Sequence, residues 1–167
     1  MPIRWLSPSP SPRRFPTADW QTACQRVALL NTLGHEEAEQ LGQRAWQFLA
    51  QKRISFHPDL KEMAFDRPAY LVLAGQACLL TLGWSNFEHT DAFSNVHEII
   101  LLPDGFTRQV EEMDEFGVMH EYTDSRAGET SYQGPVVLSF TDLMQSGGFN
   151  GYNILIHELA HKLDMGN

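Results

Sequence analysis

Between residues 35 and 53 apolar side chains return every third or fourth position, with Ala38, Leu41, Ala45, Phe48 and Leu49 on one side of a helical wheel. Glu36, Glu37 and Glu39 occupy the first turns, with Lys52 and Arg53 at the far end. Each charge sits where the peptide dipole of a helix favours it. The pattern predicts an amphipathic helix over 35–53. A second helix is expected over about 68–82, with Asp66 as its cap, Pro68 in its first turn and Gly83 ending it. It is apolar almost all round, which predicts burial. Gln76 and Thr81 interrupt the apolar run, and it is too short to span a bilayer. Residues 96–102 and 136–140 read as strands, the first followed by Pro103 and the second opened by Gly134 and Pro135. A turn-rich stretch at 145–151 leads into a third helix over about 152–163. The order helix, helix, strand, strand, helix predicts an α+β domain.

Composition narrows the class. Residues 1–16 are rich in Pro, Ser and Arg and are expected to be a disordered tail, leaving 17–167 as one domain. That tail has no apolar centre, so it does not read as a secretory signal. With 43% hydrophobic and 20% charged residues the chain reads as a soluble globular protein. A formal charge of −9 argues against nucleic-acid binding, which needs clustered Lys and Arg. Cys24 and Cys78 are too few and too far apart for a disulfide framework or a thiolate zinc site. They read as reduced thiols packed among apolar side chains in a cytoplasmic protein. Segment 111–129 sets seven carboxylates against Arg126. A solvated hairpin or loop is its plain reading, and a docking surface for a basic partner is the alternative.

The chemistry concentrates in Ile154-Leu155-Ile156-His157-Glu158-Leu159-Ala160-His161-Lys162-Leu163-Asp164. On a helix, residues four apart differ by about 40° in azimuth, so both imidazoles leave one face and can share a tetrahedral ion. Glu158 lies about 100° round from His157, placed to reach a metal-bound water rather than the metal. Leu155, Leu159 and Leu163, with Ile156 and Ala160, are expected to form the buried stripe. With 7 His in 167 residues, chance yields such a pentad in roughly 2% of shuffled chains, so its setting inside an apolar helix matters. His35-Glu36, His97-Glu98 and His120-Glu121 lack the second His and read as structural or solvent-facing. Asp164 reads either as an acceptor fixing an imidazole tautomer or as a solvated helix end. Gly134, Pro135, Val136 and Val137 open the strand nearest upstream. They read as a candidate for pairing with an extended substrate, or as an ordinary core strand.

Gln133-Gly134-Pro135-Val136-Val137-Leu138-Ser139, then Gly148-Phe149-Asn150 and Asn153 through Met165 around the pentad, resemble the Mlc titration factor A family. Val96-His97-Glu98-Ile99-Ile100-Leu101-Leu102-Pro103 and Gln51-Lys52-Arg53 fit the same pattern, and the likeness runs from about residue 20 to the last residue. The resemblance implies a cytoplasmic zinc peptidase of zincin-like fold, similar to the anthrax lethal factor protease domain, with helices on a small mixed sheet. It implies His157 and His161 as ligands of one zinc ion and Glu158 as the catalytic glutamate acting on a peptide or protein substrate. It also implies binding of the glucose repressor Mlc in enteric relatives, without direct contact to nucleic acid or membrane. The family's third zinc ligand, a glutamate, and a catalytic tyrosine lie well after the pentad, and no residue up to Asn167 matches either. The chain is therefore expected to be the N-terminal portion of the enzyme, with little activity alone. A non-catalytic repressor-binding protein and a structural helix with accidental histidines are the competing readings.

Overall fold

A computed structural model describes residues 3–4, 14–60, 65–103, 106–113, 119–126, 128–129, 134–149 and 151–165. In chain order its helices are α1 (Thr17–Arg26), α2 (Ala28–Asn31), α3 (His35–Gln51), α4 (Arg67–Leu79), α5 (Asn86–Ala92), α6 (Phe140–Gln145) and α7 (Ile154–Met165). Its strands are β1 (Ile3–Arg4), β2 (Arg53–Phe56), β3 (Glu98–Leu102), β4 (Phe106–Met113), β5 (Met119–Arg126), β6 (Gly128–Glu129) and β7 (Val136–Ser139).

The apolar spacing at 35–53 produces α3, which buries Leu41, Ala45, Phe48 and Leu49. The helix stops at Gln51 rather than Arg53, because Arg53–Phe56 leave it as β2 and pair with β3. Glycine is required at position 42, where a Cβ would lie 2.6 Å from Trp20 Nε1. That indole, on α1, donates to the Ala38 carbonyl of α3 at 2.9 Å.

The second expected helix is α4. The Asp66 carboxylate accepts from the Ala69 N–H at 3.0 Å, as a cap should, and also from both Arg26 guanidinium nitrogens at 2.8 Å. Leu71, Leu73, Ala74, Ala77 and Cys78 are buried, and α4 packs on α1, α3 and α7. It ends at Leu79, short of the expected 82. Beyond it the carbonyls of Thr81, Leu82 and Trp84 accept from the buried Arg44 guanidinium of α3, a cation at the negative end of the helix. Among the described residues, no helix is long and apolar enough to cross a membrane.

The main sheet runs β1-β2-β3-β7-β6. Its centre, β2-β3-β7, is parallel, with Ile54 opposite Ile99 and Leu101 opposite Leu138. Both margins, β1 and β6, run antiparallel to their neighbours. Ile99, Leu101, Val136 and Leu138 are fully buried, as expected of parallel strands. The domain is thus α+β with a small mixed sheet. Phe140, expected in the second strand, instead opens α6, because Ser139 Oγ accepts from the Asp142 N–H and caps that helix. Between β3 and β7 the acidic segment contributes an antiparallel hairpin of β4 and β5, with Glu111 opposite Glu121. The side chains on which the alternative docking reading of that segment depends lie outside the described residues. Of the expected tail, Ile3–Arg4 pair with Phe56 and Ser55, Arg14–Pro16 lead into α1, and the rest lies outside the described residues.

His89 on α5 is 7% exposed, hydrogen-bonded to Thr81 Oγ1 and edge-on to Phe93. Burial, then the Arg44 and Lys52 charges, push its pKa down to about 4. The unfolded chain therefore binds a proton first as pH falls below about 6.5, so stability present above that pH is lost progressively down to pH 4. Up to about 3 kcal/mol is expected to go by this route. Urea midpoints at pH 7, 5 and 4 should fall less steeply in His89→Gln than in the parent. Parallel slopes would remove His89 as the cause.

Candidate metal centre

Two capping side chains start α7. Ser146 Oγ accepts from the Ile154 N–H at 3.1 Å, and Asn153 Oδ1 accepts from the Ile156 N–H at 3.0 Å. The Asn153 carbonyl takes the His157 N–H at 3.0 Å. Asn153 is itself fixed, because its amide donates to Gln76 Oε1 of α4 at 2.6 Å. Before this start, Gly147 holds φ at +105° while its carbonyl accepts from the Leu29 N–H at 3.1 Å. A Cβ there would stand 2.5 Å from Val27 Cγ1 and 3.1 Å from Gln76 Oε1. Only glycine satisfies both the backbone angle and the space.

The buried arc of α7 is not quite the one the sequence predicts. Leu155 and Leu159 are buried as expected, but Ile156 and Leu163 are only half-buried and Ala160 is exposed. Ile154, Glu158 and Lys162 turn inward instead. The helix packs on α4 at one side and on β6 and β7 at another, so its buried face covers more than one apolar stripe. Its outer arc carries His157, His161 and Asp164, all exposed. Asp164 thus lies at a solvated helix end on the histidine face.

The two imidazoles meet. Their Nε2 atoms are 3.1 Å apart, with ring centroids at 4.7 Å and planes at 89°. Two imidazole nitrogens bound to one tetrahedral zinc, each at about 2.0–2.1 Å, would be separated by about 3.3–3.4 Å. The observed spacing is within a few tenths of that, so the pair fits a shared ion without moving a helix turn. Glu158 is 6% exposed, on the flank between the open histidine face and the packed one. Tyr152, just before the helix, donates to Asp142 Oδ1 at 2.9 Å. Burial and the Asp142 carboxylate push that phenol up to about 12.

Among the described residues, no group of three His, Cys, Asp or Glu converges as a ligand set. Cys24 and Cys78 are free thiols, the first half-buried and the second buried, with burial pushing Cys78 up to about 12. Both pack in or against the apolar core. His35 and His97 are exposed, and the side chain of His120 lies outside the described residues. A cavity of about 360 Å³ lies between Val27, Val72, Leu73, Gln76 and Leu143, and another of about 630 Å³ between α1 and α3. Neither is lined by the pentad, and the first meets α7 through the Gln76 to Asn153 hydrogen bond.

The strand opened by Gly134 and Pro135, read either as a substrate-pairing strand or as an ordinary core strand, is paired on both sides. β7 is interior: Ile99 and Ile100 of β3 sit opposite Val136 and Val137 on one side, and Glu129 of β6 sits opposite Val137 on the other. Gly134 lends its carbonyl to Lys162 Nζ at 2.7 Å. Among the described residues, the margin of the sheet beside α7 is therefore β6, a two-residue strand too short to register as a pattern.

Lys162 and Asn95 went unread in the sequence. Lys162 Nζ also donates to the Asn95 carbonyl at 3.1 Å, and Asn95 Nδ2 returns a bond to the Lys162 carbonyl at 3.0 Å. Lys162 is fully buried, and burial holds its ammonium below the ordinary lysine range. One signal was present, since Lys162 stands four residues after Glu158 and so shares its face. The prior that lysines point to water hides it.

A family model described as glucose-regulated metallo-peptidase M90 matches residues 5–167. The chain is similar to Mlc titration factor A of Edwardsiella ictaluri, at 35% identity over 166 residues covering 99% of this chain and 60% of that protein. It is similar to the Serratia proteamaculans protein of the same name at 32% over 165 residues, again covering 99% and 60%. For the Escherichia fergusonii protein the figures are 33% over 167 residues, covering 99% and 59%. The chain spans about 60% of the length of the curated relatives it matches.

Proposed function

The chain belongs to the glucose-regulated metallo-peptidase M90 family, and from that premise we propose that α7 is the metal-binding helix of a zinc peptidase. The observation carrying this reading is the 3.1 Å approach of His157 and His161 Nε2 on the open face of the helix. Two imidazoles on one face, with the Glu158 carboxyl on the adjoining flank, form a donor set suited to zinc. Bound zinc supplies Lewis acidity, which acidifies water and polarises a peptide carbonyl. His157 and His161 would hold the ion through Nε2. Glu158 takes a proton from water at a carboxylate oxygen and returns it to the leaving amine. Backbone groups of β6, at the sheet margin beside α7 among the described residues, would align an extended peptide.

Metal analysis of the purified protein tests this reading. One zinc per chain is expected, removable by chelator together with hydrolysis. His157→Ala and His161→Ala should each weaken zinc binding by about a hundredfold or more. Undiminished zinc in the double variant would end the proposal.

A second reading draws on the name shared by the relatives. In it the protein sequesters the Mlc repressor and hydrolysis is secondary. Retained capture of the repressor by a His157→Ala variant favours that role, and its loss favours a purely enzymatic one.

A further inference from the structure

We propose that Lys162, together with Asn95, is a positioning residue that sets the rotation of α7 and so places the Glu158 carboxylate. The proposal rests on the peptidase reading and deepens it. Lysine is among the costliest side chains to bury, and an apolar residue of similar length would fill the space without loss of hydration. Yet Lys162 is fully buried and spends donors on two main-chain carbonyls from separate segments. One is Asn95, in the turn before β3, at 3.1 Å, and the other is Gly134, at the entry to β7, at 2.7 Å. The reciprocal bond from Asn95 Nδ2 to the Lys162 carbonyl occupies an acceptor in the last turn, where helix carbonyls lack partners of their own.

The catalytic helix is therefore tied at both ends. Asn153 and Ser146 fix its start, Lys162 and Asn95 fix its finish, and His157, Glu158 and His161 lie between. Lys162 is one turn beyond Glu158 and about 40° away in azimuth, so it holds the same flank of the helix against the sheet. If that hold is released, α7 can roll. The spacing of the two imidazoles is internal to the helix and survives a roll. The distance from Glu158 to anything anchored on the β6 margin does not. A displacement of about 1 Å in a reacting group can cost a hundredfold in rate.

The test compares Lys162→Met and Asn95→Ala with the parent and Glu158→Gln in the zinc-loaded protein. Lys162→Met is expected to lower kcat by about ten- to a hundredfold with KM within about twofold and zinc stoichiometry unchanged. In metal-free protein, amide exchange in the last turn of α7 should accelerate by about tenfold or more, while α4 amides keep their rates. Asn95→Ala should show the same pattern more weakly, and it decides the matter if Lys162→Met fails to fold. An active parent and inactive Glu158→Gln, with unchanged kcat in Lys162→Met or in its substitute, overturns the positioning role alone. An inactive parent or an active Glu158→Gln overturns the peptidase reading, and this proposal with it.

Discussion

Glu158→Gln is expected to bind zinc and fold like the parent while hydrolysing peptide about a hundred- to ten-thousandfold more slowly, the range over which a positioned general base acts. Glutamine matches glutamate in shape, so the 6% exposed site accepts it without a cavity. What is lost is proton affinity, because an amide oxygen cannot take a proton from water at neutral pH. The imidazole pair is untouched, with Nε2 atoms 3.1 Å apart. The deficit should fall on kcat, with zinc stoichiometry equal to the parent. The measurement is steady-state hydrolysis alongside metal content on the same preparation. Ordinary turnover by the variant would show that the proton goes elsewhere.

The largest stability effect is expected at the turn that delivers the chain to this helix. Gly147→Ala meets two obstacles: φ of +105°, which L residues rarely adopt, and Val27 Cγ1 at 2.5 Å from the new Cβ. Backbone strain costs about 1–3 kcal/mol and overpacking about as much, so a loss of about 2–5 kcal/mol is expected. The neighbours provide graded controls. Gly151→Ala has the positive φ of +78° and open space, so it should lose only the strain contribution. At Gly148→Ala, where a Cβ meets nothing within 4 Å, the change should stay within about 0.5 kcal/mol. Urea midpoints would rank the three. Equal losses at 147 and 151 would mean that the contact with Val27 carries no energy. Because Gly147 also abuts the Gln76 oxygen that holds Asn153, its replacement should loosen the start of α7 as well.

The long elements were legible because each announces itself locally. α3 shows a single apolar stripe with dipole-matched charges, and α4 has Asp66 and Pro68 at its start. Their ends were less legible. Arg44, seven residues before Gln51, captures carbonyls beyond Leu79, and nothing near residue 80 in sequence signals a guanidinium arriving from another helix. β2 escaped notice because four residues carry too little periodicity, and α5 because its seven residues are mostly polar.

The sequence by itself determined the chemical core: two histidines a helical turn apart, a glutamate between them, and apolar positions that force the segment to be a helix. Those facts follow from covalent spacing and helical periodicity, which need no partner. Tertiary structure alone decided which arc of α7 is buried, that β7 is interior and β6 the margin, and that Lys162 is drawn in to the carbonyls of Asn95 and Gly134. These depend on contacts between segments 67 and 77 residues apart, whose pairing is set by where whole elements pack, and no local pattern encodes that.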